Sequence, residues 1–155
     1  TMMICIFLMW IGASPASTGG GIKTTTFAIA TLNIIALAKG KTRTEIYRRE
    51  VSDNSLRRAF AIIALSLLVN GIAIFLLMIT EKDKDLLSLA FETFSAYSTV
   101  GLSLNLTPVL SPAGKIIIIF VMFIGRVSML SLLIAITKRE KYFNYRYPKE
   151  EIMMN

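Results

Sequence analysis

Ser98-Thr99-Val100-Gly101-Leu102-Ser103 directly follows a short apolar stretch at residues 86–97. An extended Thr-Val-Gly turn can point successive backbone carbonyls to one side. Its glycine lets the chain approach an ion closely at angles that other residues resist. Rings of such carbonyls replace the hydration shell of K⁺ in selectivity filters. If the preceding stretch is helical, its partly negative C-terminal end points to the same place and favours a cation there. Ser98, Thr99, Val100, Gly101 and Leu102 are therefore candidate ion-binding residues, with the carbonyls of Thr99, Val100 and Gly101 as candidate K⁺ ligands. A second chemistry-bearing stretch, residues 12–23, holds four glycines and one proline within an apolar run. Gly19, Gly20, Gly21 and Lys23 give it a mobile backbone and a charge. A phosphate loop needs Gly-Lys-Ser/Thr in succession, and here Ile22 separates Gly21 from Lys23. The third feature is Arg126, inside an otherwise uncharged block, where a charge costs about 2.5–3.5 kcal/mol on insertion scales. The sequence has no His and a single Cys, Cys5. A histidine base, a histidine–cysteine zinc site and an internal disulfide are thus excluded, and no bond-making chemistry is visible.

The elements that must position these residues belong to a membrane chain. Of 155 residues, 54% are hydrophobic and 17% charged, against roughly 25% charged in ordinary soluble domains. Residues 59–80 contain no charge and as a helix would span about 33 Å, enough for a bilayer core. Residues 115–137 form a second block, and residues 2–38 read as two half-helices flanking the Gly-rich break. The chain begins at Thr1 and runs straight into apolar residues, which reads as a piece of a longer membrane protein. The net charge of +7 is unevenly placed: residues 39–58 hold seven Lys/Arg against three acids, and residues 138–155 five against three. Lys/Arg excess marks cytoplasmic loops. That puts 39–58 and 138–155 inside the cell and the acidic connector 81–85 outside. Topology accounts for the basic residues without a nucleic-acid partner. Residues 86–112 must then start and finish outside. A twelve-residue helix reaches only about 18 Å, so 86–97 is expected to be re-entrant. Backbone beyond it would line a pore or cavity, the only setting in which irregular chain is tolerated at that depth. Asn70 in mid-span reads as a helix–helix hydrogen bond, Glu92 as a buried structural acid, and Trp10 as an interface anchor or packing residue.

Ile6-Phe7-Leu8-Met9-Trp10-Ile11-Gly12 matches Ile119-Phe120-Val121-Met122-Phe123-Ile124-Gly125 at five of seven positions. Such a repeat points to a transporter or channel built from copies of one unit. Phe91 through Ser103 resembles the fourth pore segment of the Trk/Ktr/HKT potassium transporters. Ile11 through Thr24 resembles the broken inner helix of their third unit, and Phe123-Ile124-Gly125-Arg126 their fourth inner helix. The likeness is closest to the bacterial TrkH and KtrB type. It implies an all-α membrane protein with a helix–re-entrant pore helix/loop–helix unit, preceded by the broken inner helix of another unit. The implied divisions are 1–38, the broken inner helix; 39–58, a cytoplasmic basic linker; 59–137, the fourth pore unit; and 138–155, a cytoplasmic tail. Within the unit lie an outer helix (59–80), pore helix (86–97), filter (98–103) and inner helix (115–137).

The resemblance further implies selective uptake of K⁺, with Na⁺ as an alternative or coupled ion, at the cell membrane and with no cofactor in this chain. Gly19, Gly20 and Gly21 would form an intramembrane gate, and Arg126 would be a positive charge beside the pore that contacts it. Partners would be the lipid bilayer, the pore units missing from the N-terminal side, a second copy in a homodimer and a cytosolic nucleotide-binding regulatory subunit. A different class stays open on the residues alone: a non-conducting membrane subunit associated with an ion-motive ATPase.

Overall fold

A computed structural model describes residues 1–15, 17, 19–41, 45–46 and 49–127. The expected tail, the last part of the 115–137 helix, Ala16 and Thr18 of the Gly-rich stretch and part of the basic linker lie outside these residues. The described chain is mostly helical: α1 (Met2–Trp10), α2 (Thr24–Ala38), α3 (Asp53–Thr80), α4 (Leu86–Tyr97) and α5 (Pro112–Val127). Two short strand pairs join chain segments between helices. β1 (Ile11–Ala13) runs parallel to β2 (Ile22–Lys23), and β3 (Glu45–Ile46) antiparallel to β4 (Arg49–Glu50).

α3 is long and apolar enough to cross a membrane. It starts earlier than the uncharged block because Ser52 caps it, its Oγ accepting from Ser55 N–H, with Asp53 in the first turn. Both features satisfy or complement the exposed N–H groups of a helix start. Its buried stripe is Ser66, Val69, Asn70, Ala73 and Leu77, whereas Leu67, Leu68, Ile72, Phe75, Leu76 and Ile79 point away from the chain. The polar side chains Ser66 and Asn70 face inward beside Val69, Ala73 and Leu77, while most of the large apolar ones face outward, unlike a helix packed in water. Asn70 donates to Ser66 O of its own helix at 2.8 Å rather than across to another helix.

α4 is the most enclosed element. Leu89, Ala96 and Tyr97 join a cluster with Val69, Ala73 and Leu77 of α3 and Ile118 and Val121 of α5. Its other side carries Phe91 against Ile6 and Met9 of α1. The two halves of the internal repeat thus flank one short helix. Trp10 is buried and donates through Nε1 to Ser66 Oγ at 3.1 Å; it is a packing residue, not an interface anchor.

The C-terminal end of α3 and the N-terminal end of α5 are tied by Glu81, whose Oε1 accepts from Ser111 N–H at 2.8 Å. Ser111 Oγ in turn accepts from Gly114 N–H at 3.1 Å, capping α5. The hydrogen bonds from Ser111 hold the Glu81 carboxyl below the usual carboxylate range, with help from Lys84. A depressed folded pKa means that the stabilisation is present above the unfolded value, about 4.3, and is lost as the pH falls through the folded one. Thermal unfolding of the purified protein should therefore lose a component on acidification below about pH 4.3. Glu81→Gln should remove that component; an unchanged pH profile in the variant would show that Glu81 does not supply it.

Candidate functional site

α4 ends at Tyr97 because the chain turns left-handed two residues later. Thr99 has φ +53°. Thr99 N–H donates to Ala96 O at 3.1 Å and Val100 N–H to Ser95 O at 3.0 Å. These two bonds are a Schellman motif, which uses up carbonyls that a helix end otherwise leaves free. Glycine normally fills the left-handed position; a β-branched residue there is an outlier and stores strain. The compensation is tertiary: Thr99 Oγ1 accepts from Gly20 N–H at 2.9 Å. Gly101 is also left-handed, with φ +84°. The Thr-Val-Gly segment is therefore not the uniformly extended turn that its composition predicts. Left-handed residues stand on either side of Val100. Ser98 is buried, while Val100, Gly101 and Leu102 are exposed.

The Gly-rich stretch packs directly on this helix end. A methyl group on Gly125 would lie 1.8 Å from Tyr97 O; one on Gly20 would lie 2.9 Å from the same oxygen and 3.1 Å from Gly125 O. A methyl on Gly21, which has φ +81°, would lie 2.9 Å from Ser98 Oγ. Gly20 and Gly125 thus form a notch for one carbonyl, and Gly20 and Gly21 serve close approach as well as turning. Nothing in the local sequence separates these roles from mobility. In the sequence Gly125 stands out only as the end of the repeat and within the Phe123–Arg126 motif. The loop closes on itself where β1 meets β2 and where Lys23 Nζ donates to Pro15 O at 2.7 Å.

Ser17, Gly19, Gly21, Lys23, Gly125 and Arg126 line a common cleft of about 250 Å³. The sequence candidates Gly19, Gly21, Lys23 and Arg126 are thus brought together. Among the described residues the guanidinium makes no hydrogen bond to the loop with which it shares this cleft. The loop's bond goes instead to Thr99. Glu92 is buried, and its Oε1 accepts from Ser103 Oγ at 2.9 Å and from Thr107 Oγ1. It joins the helix before the filter candidates to the chain after them, a tie that residue spacing did not reveal.

Residues 1–145 match the TrkH family, described as a cation transport protein. The chain belongs to the TrkH family. It is 44% identical over 152 residues to the Ktr system potassium uptake protein B of Bacillus subtilis, covering 98% of this chain and 34% of that protein. It is 42% identical over 154 residues to the Ktr system potassium uptake protein D of the same organism, covering 99% of this chain and 34% of the relative. The potassium/sodium uptake protein NtpJ of Enterococcus hirae is 41% identical over 160 residues, covering 99% of this chain and 35% of the relative. The chain spans about a third of the length of these curated relatives. Within the TrkH family, then, this segment holds α1–α5 and the glycine-clasped turn after α4.

Proposed function

We propose that this chain is part of the pore-forming subunit of a potassium uptake system at the cell membrane, with Na⁺ as an alternative or coupled ion. Cations pass a filter made by the backbone of Ser98–Leu102, the carbonyls of Thr99, Val100 and Gly101 replacing water around the ion. The observation that carries this reading is the backbone at the end of α4. Left-handed Thr99 and Gly101 flank Val100 at the C-terminal end of a twelve-residue helix, held there by Gly20 of another segment. Proteins keep such strain where the surroundings over-determine it, and that is commonly a functional site. α4 is then a re-entrant pore helix. α3 and α5 are the outer and inner spans of one unit, and α1 and α2 form the broken inner helix of the unit before it. The outward apolar faces of α1, α3 and α5 meet lipid or the remaining units of a multi-pass protein. The names of the relatives, two from Ktr systems and one potassium/sodium uptake protein, support the substrate class. A homodimer and a cytosolic nucleotide-binding regulatory subunit complete the proposed assembly.

Gly19–Gly21 form the gate below the filter, and Arg126 with Lys23 places positive charge in the cleft beside it. A fixed positive charge in a low-dielectric path opposes a passing cation. Arg126→Ala in the full-length protein should raise basal K⁺ uptake on the order of threefold to tenfold, a barrier change of up to about 1.4 kcal/mol. Lys23→Ala should have a smaller effect, because Pro15 O already holds its ammonium. Uptake in cells lacking their own potassium transporters tests both variants. Lower uptake from correctly inserted Arg126→Ala protein would contradict the barrier, and no K⁺ uptake by the wild type would contradict the function.

A further inference from the structure

Glu92 stands two helical turns before Thr99 on α4 and is only 4% exposed. One carboxylate oxygen, Oε1, takes the hydrogen bonds from Ser103 and Thr107. The other, Oε2, is buried with no hydrogen-bond partner among the described residues. The side chain borders a pocket of about 210 Å³ whose polar lining includes Ser95, Thr99, Ser103 and Thr107; Gly101 and Leu102 of the filter segment and Ile118 of α5 also line it. We infer that this pocket is a second cation site, beside the filter, which takes one alkali cation, Na⁺ or K⁺, on Glu92 and the Ser103 and Thr107 hydroxyls.

Counting protons leads to the ion. An ionised carboxylate only accepts, so the three contacts among Oε1 and the Ser103 and Thr107 hydroxyls have only the two hydroxyl protons to share. The two hydroxyl oxygens are 3.1 Å apart. One of the three contacts therefore sets lone pairs against lone pairs, and Oε2 adds a buried oxygen without a partner among the described residues. Each of these is unfavourable in a site with apolar walls. A cation held by Oε2 and the two hydroxyl oxygens relieves both at once. Carboxylate and hydroxyl oxygens are hard donors, which select hard cations over transition metals. Among the described residues, no three of His, Cys, Asp and Glu gather to hold a metal ion. One carboxylate balances one positive charge, whereas calcium sites usually gather several. A monovalent ion is therefore the fit. Ser103 and Thr107 are exposed, so the site opens to the surface of the described chain.

The test is ion-dependent stability of the purified full-length protein, a readout separate from uptake. The thermal unfolding midpoint is followed against NaCl and, in a second arm, against KCl, with ionic strength held by choline chloride. An ion that binds the folded state raises the midpoint with its concentration. Glu92→Gln keeps an acceptor for Ser103 and Thr107 and removes the charge. It should weaken the apparent affinity at least tenfold in one arm, and that arm names the ion. Should Glu92→Gln fail to fold, the double variant Ser103→Ala/Thr107→Ala removes two ligands while keeping the charge, and should weaken the same curve at least tenfold. Wild-type curves in both arms for the folded variants overturn the inference. A midpoint that responds to neither ion also overturns it. If the full-length protein takes up no K⁺ but binds the ion through Glu92, the transport reading fails and this one stands.

Discussion

Gly125→Ala is expected to unseat α5 from the end of α4. The new methyl would lie 1.8 Å from Tyr97 O and 2.7 Å from the Tyr97 carbonyl carbon. Both are backbone atoms within a packed cluster, so no side-chain rotation relieves the clash. The two helices must separate by more than 1 Å, since unbonded carbon and oxygen approach no closer than about 3 Å. Overpacking typically costs about 1–3 kcal/mol, and a backbone-on-backbone clash belongs at the upper end, about 3 kcal/mol. The same movement carries Tyr97 away from Gly20 and loosens the bond that holds Thr99 left-handed. Folding stability and cation selectivity should therefore fall together. Gly114→Ala is the control. Its methyl would meet Glu81 Oε1 at 2.7 Å, the far end of a flexible side chain, so the cost is a displaced carboxylate rather than displaced helices. Thermal unfolding of both variants, with K⁺ uptake in cells, distinguishes them. A Gly125→Ala protein as stable as the wild type would mean that α5 does not seat on Tyr97.

Gly101→Ser is expected to leave the protein folded and degrade its choice of ion. Apart from its chain neighbours, no described residue has an atom within 4 Å of a Cβ at this position, so the side chain has room. What changes is the backbone: φ is +84°, a conformation that residues with a Cβ rarely adopt, at a cost of about 1–2 kcal/mol. The chain relaxes by rotating toward negative φ, which swings a neighbouring carbonyl off the ion path. Selectivity of carbonyl filters depends on the number and placement of those oxygens. The ratio of K⁺ to Na⁺ uptake should fall about tenfold, equivalent to about 1.4 kcal/mol of discrimination, with little change in the unfolding midpoint. Uptake of the two ions by the full-length variant measures this ratio. An unchanged ratio would leave Gly101 as a turn residue only. The opposite patterns at the two glycines reflect two different reasons for having no side chain, one conformational and one steric.

The elements themselves are largely written in local sequence. Residues 59–80 carry no charge, and they fall within α3 because an apolar run of that length has few other stable forms. Residues 86–97 lie between an acidic connector and a Ser-Thr-Val-Gly turn, and α4 occupies Leu86–Tyr97. The repeated heptapeptide shows where local reading ends. One copy leaves its helix at Trp10 and pairs Ile11–Ala13 with Ile22–Lys23, while the other stays helical through Val127. The two copies differ in the residues immediately after them, Ala13-Ser14-Pro15 against Arg126-Val127, and a proline biases the preceding residue toward extended backbone. The site is decided at longer range. Thr99 is left-handed while its hydroxyl is held by a residue 79 positions away. The glycines at 20 and 125 matter because packing brings both against one carbonyl of Tyr97. Residue types and spacing specify which dihedrals are cheap and which faces are apolar. Which backbone must approach which, and so which glycine cannot carry a methyl group, is set only when the helices close on one another.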